Sequence, residues 1–333
     1  MRRNDHDVTD SIRTTDLKQV SAEVTRIYRG LYEGTLSGAA GANTIKRAFA
    51  DIGRVYSGQH PGYQPCDTEY HDIQHVLDVT LAMARLMDGY ERSRKVTRSH
   101  AGDSPAMPAA CFALGVVTAL FHDFGYLRKR GDRRHRYGAE YTMTHVTRGA
   151  AHLHDYLPRV GLKRYARTGA MLVHYTGYER PAETIELNDT LLRRVGHMLG
   201  TADIIAQMAD RCYLEKCRDR LYPEFVLGGL AHKTLSGGRK QVIFSSGDDL
   251  VRKTPGFYMN AAKRLDLQLA RAYAYEYAER HFRGQNLYLE EMQKNVRYAQ
   301  AVADAPSDQS LRRESPSTLN AGVEPYPKDM VIR

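Results

Sequence analysis

Five residues of this chain combine types and spacings that could do metal-assisted chemistry: His71, His75, His122, Asp123 and Asp203. His122 and Asp123 are adjacent at the end of an apolar run, Ala109 to Phe121, that reads as a buried helix. Burying an imidazole beside a carboxylate is costly unless each has a partner, and a metal ion is an efficient one. His71 and His75 are four apart, so a helix through both would place the rings one turn apart on one face, where they could meet a metal and its water. Asp78, three residues on, could orient His75. Asp203 is the only acid between Gly200 and Ala209, a strongly apolar window; it either caps a helix start or ligates a metal. Taken singly, each has a plainer reading as a polar helix face or a cap. Their company favours the metal.

The elements that must position these residues are helical. Apolar spacing predicts helices over Asp16–Tyr32, Asn43–Tyr56 and about Ile73–Tyr90, then the Ala109–Phe121 run. Further helical patterns cover Gly138–Tyr156, Leu162–His174, Leu191 onward, Phe257–Phe282 and Gln285–Tyr298, the last two with an aromatic stripe of Tyr273, Tyr277 and Phe282 read as core. The Gly-rich stretch Gly34–Gly41 ends the first helix, Glu91–Pro108 is loop-like, and Leu235–Gly247 is a loop with room for a short hairpin. The expectation is one all-α domain over residues 16–300, with its motif core at about 65–215. Flexible termini flank it at 1–15 and 303–333, the latter rich in Ser, Pro and charge.

In order, the constellation His71…His75, His122-Asp123, Asp203 resembles the H…HD…D signature of the HD-domain metal-dependent phosphohydrolases. Tyr70-His71-Asp72-Ile73-Gln74-His75-Val76-Leu77-Asp78-Val79 is similar to the Tyr-His-Asn-x-x-His-Ala-x-Asp-Val motif of the class I cyclic-nucleotide phosphodiesterases, with Asp72 in place of Asn and Val76-Leu77 in place of Ala-x. Thr201-Ala202-Asp203-Ile204 is similar to that family's Thr-Ala-x-Asp-Leu, one residue shorter. The resemblance implies an HD-domain, phosphodiesterase-like helical bundle. It also implies a divalent metal (Mg, Mn, Fe, Co or Zn, one or two per chain) on His75, His122, Asp123 and Asp203, with His71 as the acid that protonates the leaving oxygen. The phosphodiesterases carry another His where this chain has Tyr126, and Gln207 matches their purine contact by position only. Other HD proteins hold a second metal with two more histidines; here these would be His174 with His135 or His145. The HD-GYP signature is absent.

The expected function is hydrolysis of a small phosphate ester, of the nucleotide class, either cyclic diester or monoester. The alternatives are an HD-type di-iron oxygenase and a regulatory module that binds a nucleotide without cutting it. Six basic residues between Arg128 and Arg136 follow the His-Asp pair, and phosphate attraction competes there with a solvated loop. A formal charge of +9 is a weak pointer to nucleic acid, because it comes from scattered arginines and the termini. Four cysteines without C-x-x-C spacing read as reduced thiols. No signal-peptide pattern opens the chain, and the apolar runs fall short of the roughly 20 residues that span a bilayer. A cytoplasmic protein, with homo-oligomerisation left open, is the expectation.

Overall fold

The computed structural model describes residues 2–97, 105–236, 238–271, 273–304 and 311–327, and it is mostly helical. Helix α1 (Leu17–Tyr32) starts where the Asp16 side chain accepts from the backbone N–H groups of Lys18 and Gln19. Val20, Val24, Ile27 and Tyr28 form its buried face. Helix α2 (Leu36–Tyr56) begins seven residues earlier than its apolar spacing predicts, because Thr35 caps it and the glycines lie inside it. A Cβ on Gly41 would fall 2.0 Å from the Tyr28 hydroxyl. Helix α1 ends at this stretch as expected, at Tyr32 before Gly34 with its positive φ, but Gly38 and Gly41 lie inside α2.

Helix α3 (Ile73–Thr97) is the axis of the molecule, packed by α1, by α4 (Ala109–Phe121), by α7 (Thr190–Ala209) and by α11 (Ala278–Phe282). It runs past the expected end at Tyr90 into the segment read as loop; residues 98–104 lie outside the described residues. Helix α4 is apolar all round and buried all round, as a central helix must be. The stretch Ala109–Tyr126 is apolar and long enough to cross a membrane by composition, but 94% of it is buried inside the protein. Helices α5 (His145–Tyr156) and α6 (Ala166–Leu172) pack on each other beside α4.

After α7 come the short α8 (Tyr213–Lys216) and α9 (Tyr222–Leu227), then an antiparallel hairpin of β1 (His232–Thr234) and β2 (Lys240–Val242). Helix α10 (Gly247–Leu267), capped by Ser246, and α12 (Leu287–Asp304) complete the bundle with α11. The single helix expected over 257–282 is therefore two. Tyr277 is buried and Phe282 packs on the core, while the Tyr273 side chain lies outside the described residues. All four cysteines are free and buried.

Both termini depart from the expected looseness. Asp7 is buried and pairs at 2.5 Å with Arg85, a fully buried guanidinium in α3 that also donates to the Tyr288 hydroxyl at 3.1 Å. Burial opposes ionisation of Asp7, but the charge and hydrogen bonds of Arg85 outweigh it and lower its pKa. A depressed carboxylate pKa contributes stability that is present above the unfolded value of about 4 and lost as pH falls through the folded one. Asp7→Asn should cost about 3–5 kcal/mol at neutral pH, because it leaves Arg85 buried without its counter-charge. It should also flatten the acid limb of stability against pH, measured by urea unfolding between pH 3 and 7; a parallel curve would mean that other carboxylates carry that limb. At the other end, residues 311–327 run along the body of the protein. Arg220 donates to the carbonyls of Ser315 and Pro316, Asn320 donates to Tyr56 O at 2.8 Å, and Tyr326 N–H donates to Glu69 at 2.8 Å. Residues 305–310 and 328–333, also read as tail, lie outside the described residues.

Candidate metal centre

The chain enters α3 through Asp72, whose Oδ1 accepts from His75 N–H at 2.9 Å. An aspartate side chain accepting a backbone N–H in this way is an ordinary cap for a helix start. His71 therefore precedes the helix. The two histidines are not stacked one turn apart; their rings meet edge to face with centroids 5.8 Å apart. His122 ends α4, where its Nδ1–H donates to Ala119 O at 2.8 Å. A carbonyl can only accept, so in the neutral ring the lone pair is left on Nε2, pointing inward. Asp123 follows at the turn into a short 3-10 segment, Phe124–Tyr126.

These atoms converge. His122 Nε2 lies 3.4 Å from His75 Nε2 and 3.1 Å from Asp123 Oδ2, and His75 Nε2 lies 3.4 Å from Asp123 Oδ2. His75, His122 and Asp123 are all buried and form a group that could hold a metal ion. Asp203 brings Oδ1 to 3.4 Å from His75 Nε2 and 4.0 Å from His122 Nε2. It sits inside α7, whose cap is Asp189, so the capping explanation for this acid does not hold. The chemistry of the set fits a cation: two imidazole nitrogens and the Asp123 carboxylate form one compact group that Asp203 approaches from the His75 side, and the buried Asp123 Oδ2 has no hydrogen-bond donor. Burial opposes charge on His75, yet its contacts with Asp123 and Asp203 raise its pKa to about 10. Asp123 is likewise held well below the usual carboxylate range against burial, chiefly by the His122 charge. The pocket therefore calls for positive charge at its centre.

His71 stands beside this group. Its Nδ1 lies 2.5 Å from Glu224 Oε2, while Glu224 Oε1 accepts from Tyr70 N–H at 2.7 Å. Glu224, on α9, is 1% exposed, with both oxygens committed to the Tyr70-His71 segment. Sequence reading missed it, although it is a lone acid among Leu221, Tyr222, Phe225 and Val226, the signal that singled out Asp203. The His71, Asp203 and His145 side chains are 17%, 15% and 20% exposed, whereas His122 is 1% exposed, so solvent reaches the centre from their side.

Of the histidines considered for a second metal, His145 is the one placed near the group. Its Nδ1–H donates to Thr142 O at 2.6 Å, and its Nε2 is 3.8 Å from Asp123 Oδ1. His174 pairs with Glu179 at 2.9 Å, and His135 pairs with Glu140 at 3.2 Å on the surface. Asp78 is not hydrogen-bonded directly to His75. It lies with His75, Tyr70, Gln207, Asp210 and Lys216 around a cavity of about 10 Å³, the room of one water, and burial pushes its carboxyl up to about 7. Gln207 is one turn beyond Asp203 and accepts from the Tyr70 hydroxyl at 3.2 Å.

The contacts of the basic segment lie away from Asp123 and Asp203. Arg128 pairs with Asp67 at 2.9 Å and Arg130 donates to Gly58 O at 2.9 Å. Among the described residues, none of its guanidinium groups forms an ion pair with Asp123 or Asp203. The loop that follows Asp123 is pinned instead by Arg148, which donates to Gly125 O at 2.7 Å and Leu127 O at 2.9 Å. Gly125 is required there, since a Cβ would fall 1.8 Å from His145 O. Gly125→Ala should destabilise the fold by at least about 1–3 kcal/mol, because backbone must move rather than a flexible side chain. Denaturant midpoints test this; an unchanged midpoint would show that α5 approaches more loosely.

No family model, curated protein or solved structure matches this chain.

Proposed function

We propose that this protein is a metal-dependent phosphohydrolase of the HD-domain type that cleaves a small phosphate ester, of the nucleotide class. The observation that carries the reading is the joint placement of the buried His75, His122 and Asp123 group, with Asp203 beside His75, and a separate imidazole, His71, held by the buried Glu224. His75, His122, Asp123 and Asp203 would hold the divalent cation. Such a cation supplies Lewis acidity for the phosphoryl oxygens and makes hydroxide available near neutral pH.

The protein's own groups then have distinct tasks. Ala119 O fixes the His122 tautomer, so that its Nε2 faces inward. Glu224 holds His71 Nδ1, leaving Nε2 to carry the proton delivered to the departing ester oxygen. Burial of Asp123 and His122 keeps bulk water off the inner face, while the exposed edges of His71, His145 and Asp203 admit the substrate.

The direct test is metal analysis of the purified protein coupled to turnover with Mg, Mn, Fe, Co and Zn. Substrates are p-nitrophenyl phosphate, bis-p-nitrophenyl phosphate, and cyclic and linear nucleotides. Metal-dependent release that disappears in His122→Ala supports the hydrolase and separates diester from monoester. Two irons per chain without hydrolysis would move the reading to an oxygenase, whose second metal the Asp123 Oδ1 to His145 approach favours. Tight nucleotide binding without product would leave a binding module.

A further inference from the structure

We propose that Tyr126 is a positioning residue whose ring serves as a shared platform for His71 and His145, fixing the plane in which His71 presents its proton. This rests on the hydrolase reading above. The His71 and His145 ring centroids each lie 4.3 Å from that of Tyr126, with interplanar angles of 20° and 18°. The two imidazole centroids are 6.3 Å apart. The phenol ring of Tyr126 is thus in stacking contact with both imidazoles.

This arrangement answers a mechanical need. The contact with Glu224 holds the tethered His71 ring through Nδ1, and a single hydrogen bond still tolerates libration of the ring plane. A flat neighbour removes that freedom, so the hydrogen bond and the stack together determine where Nε2 points. Tyr126 can act as a wall because it is itself immobile. It is 2% exposed and ends the short segment that Arg148 pins at Gly125 and Leu127. Gly125 lets the His145 backbone close on it, and a Cβ on Gly138 would fall 2.5 Å from Tyr126 O. At this position the phosphodiesterase motif has a histidine. Here a ring that stacks takes its place.

The experiment compares Y126L and Y126F with the magnesium-loaded wild type. Metal content, unfolding midpoint, kcat on esters of good and poor leaving groups, and the imidazole resonances are read for each. Y126L should retain metal yet lose about 100-fold in kcat on a poor, alkoxide-type leaving group, the scale of a misplacement of about 1 Å. It should lose far less on p-nitrophenyl esters, whose leaving group needs little protonation. Y126F should recover most of the loss, because the platform is the ring and not the hydroxyl. Equal losses across leaving groups, or no rescue by phenylalanine, would overturn the proposal. An arm independent of turnover uses the wild type alone. The carbon-bound protons of His71 and His145 should both be shifted upfield and show cross-peaks to the Tyr126 ring. If those signals are absent the platform is wrong, whether or not Y126L folds. If they are present in a protein that hydrolyses nothing, the hydrolase reading fails and, with it, the positioning role; the stacked geometry alone survives.

Discussion

The Asp123→Ala protein is expected to purify with almost no bound metal and to lose more than about 100-fold in turnover. Outer partners of metal ligands typically cost 10–100-fold when removed, and Asp123 lies inside that shell. Its Oδ2 is within 3.4 Å of both imidazole nitrogens, and its Oδ1 lies 3.8 Å from His145 Nε2. No other carboxylate among the described residues stands in both places. Losing it also leaves two buried imidazoles 3.4 Å apart with only Asp203 to balance them. Without metal the centre attracts protons, as the raised His75 shows. Cation and proton therefore compete, and metal uptake by the wild type should weaken as pH falls. Elemental analysis across a pH series checks both statements. Full metal occupancy in Asp123→Ala would move the centre elsewhere.

Replacing His71 should separate the two halves of the site. His71→Ala is expected to keep its metal and to lose about 10²–10⁴-fold in turnover, the range of a general acid. Glu224→Gln should fall between this variant and the wild type, since a neutral amide still accepts from Nδ1–H but makes a weaker hydrogen bond than a carboxylate. The carboxylate is buried and also accepts from Tyr70 N–H at 2.7 Å, so the unfolding midpoint must be measured alongside. The informative comparison is between metal content and kcat. If His71→Ala loses metal as completely as Asp123→Ala, the histidine is a ligand and the acid must be sought elsewhere. Joint loss in the double variant should be far from additive, because the two residues act as one unit.

Much of the helical layout was legible in the chain because it rests on local rules. The boundaries of α1 and α4 follow from capping at Asp16 and from an unbroken apolar run. A buried His-Asp pair and a lone acid in an apolar helix require partners whatever the fold, and that requirement named His122, Asp123 and Asp203. Local rules failed where a distant surface decided. Gly38 and Gly41 read as a helix break until Tyr28 is seen lying against the second of them. The polar segments at 2–15 and 311–327 read as loose because their partners, Arg85, Tyr56 and Glu69, are far away in sequence.

The sequence by itself determined which side chains could not be buried without partners, together with the helices that carry them. Only the tertiary structure decided which partners they meet. It put Glu224 behind His71, 153 positions away along the chain. It selected His145 over His135 and His174 as the neighbour of Asp123, and paired Arg128 of the basic segment with Asp67. The physical reason is that periodicity and capping act over one or two turns of chain, whereas the centre is assembled from α3, α4, α5, α7 and α9. Their mutual approach is set by packing, as at Gly125, and packing has no local signature.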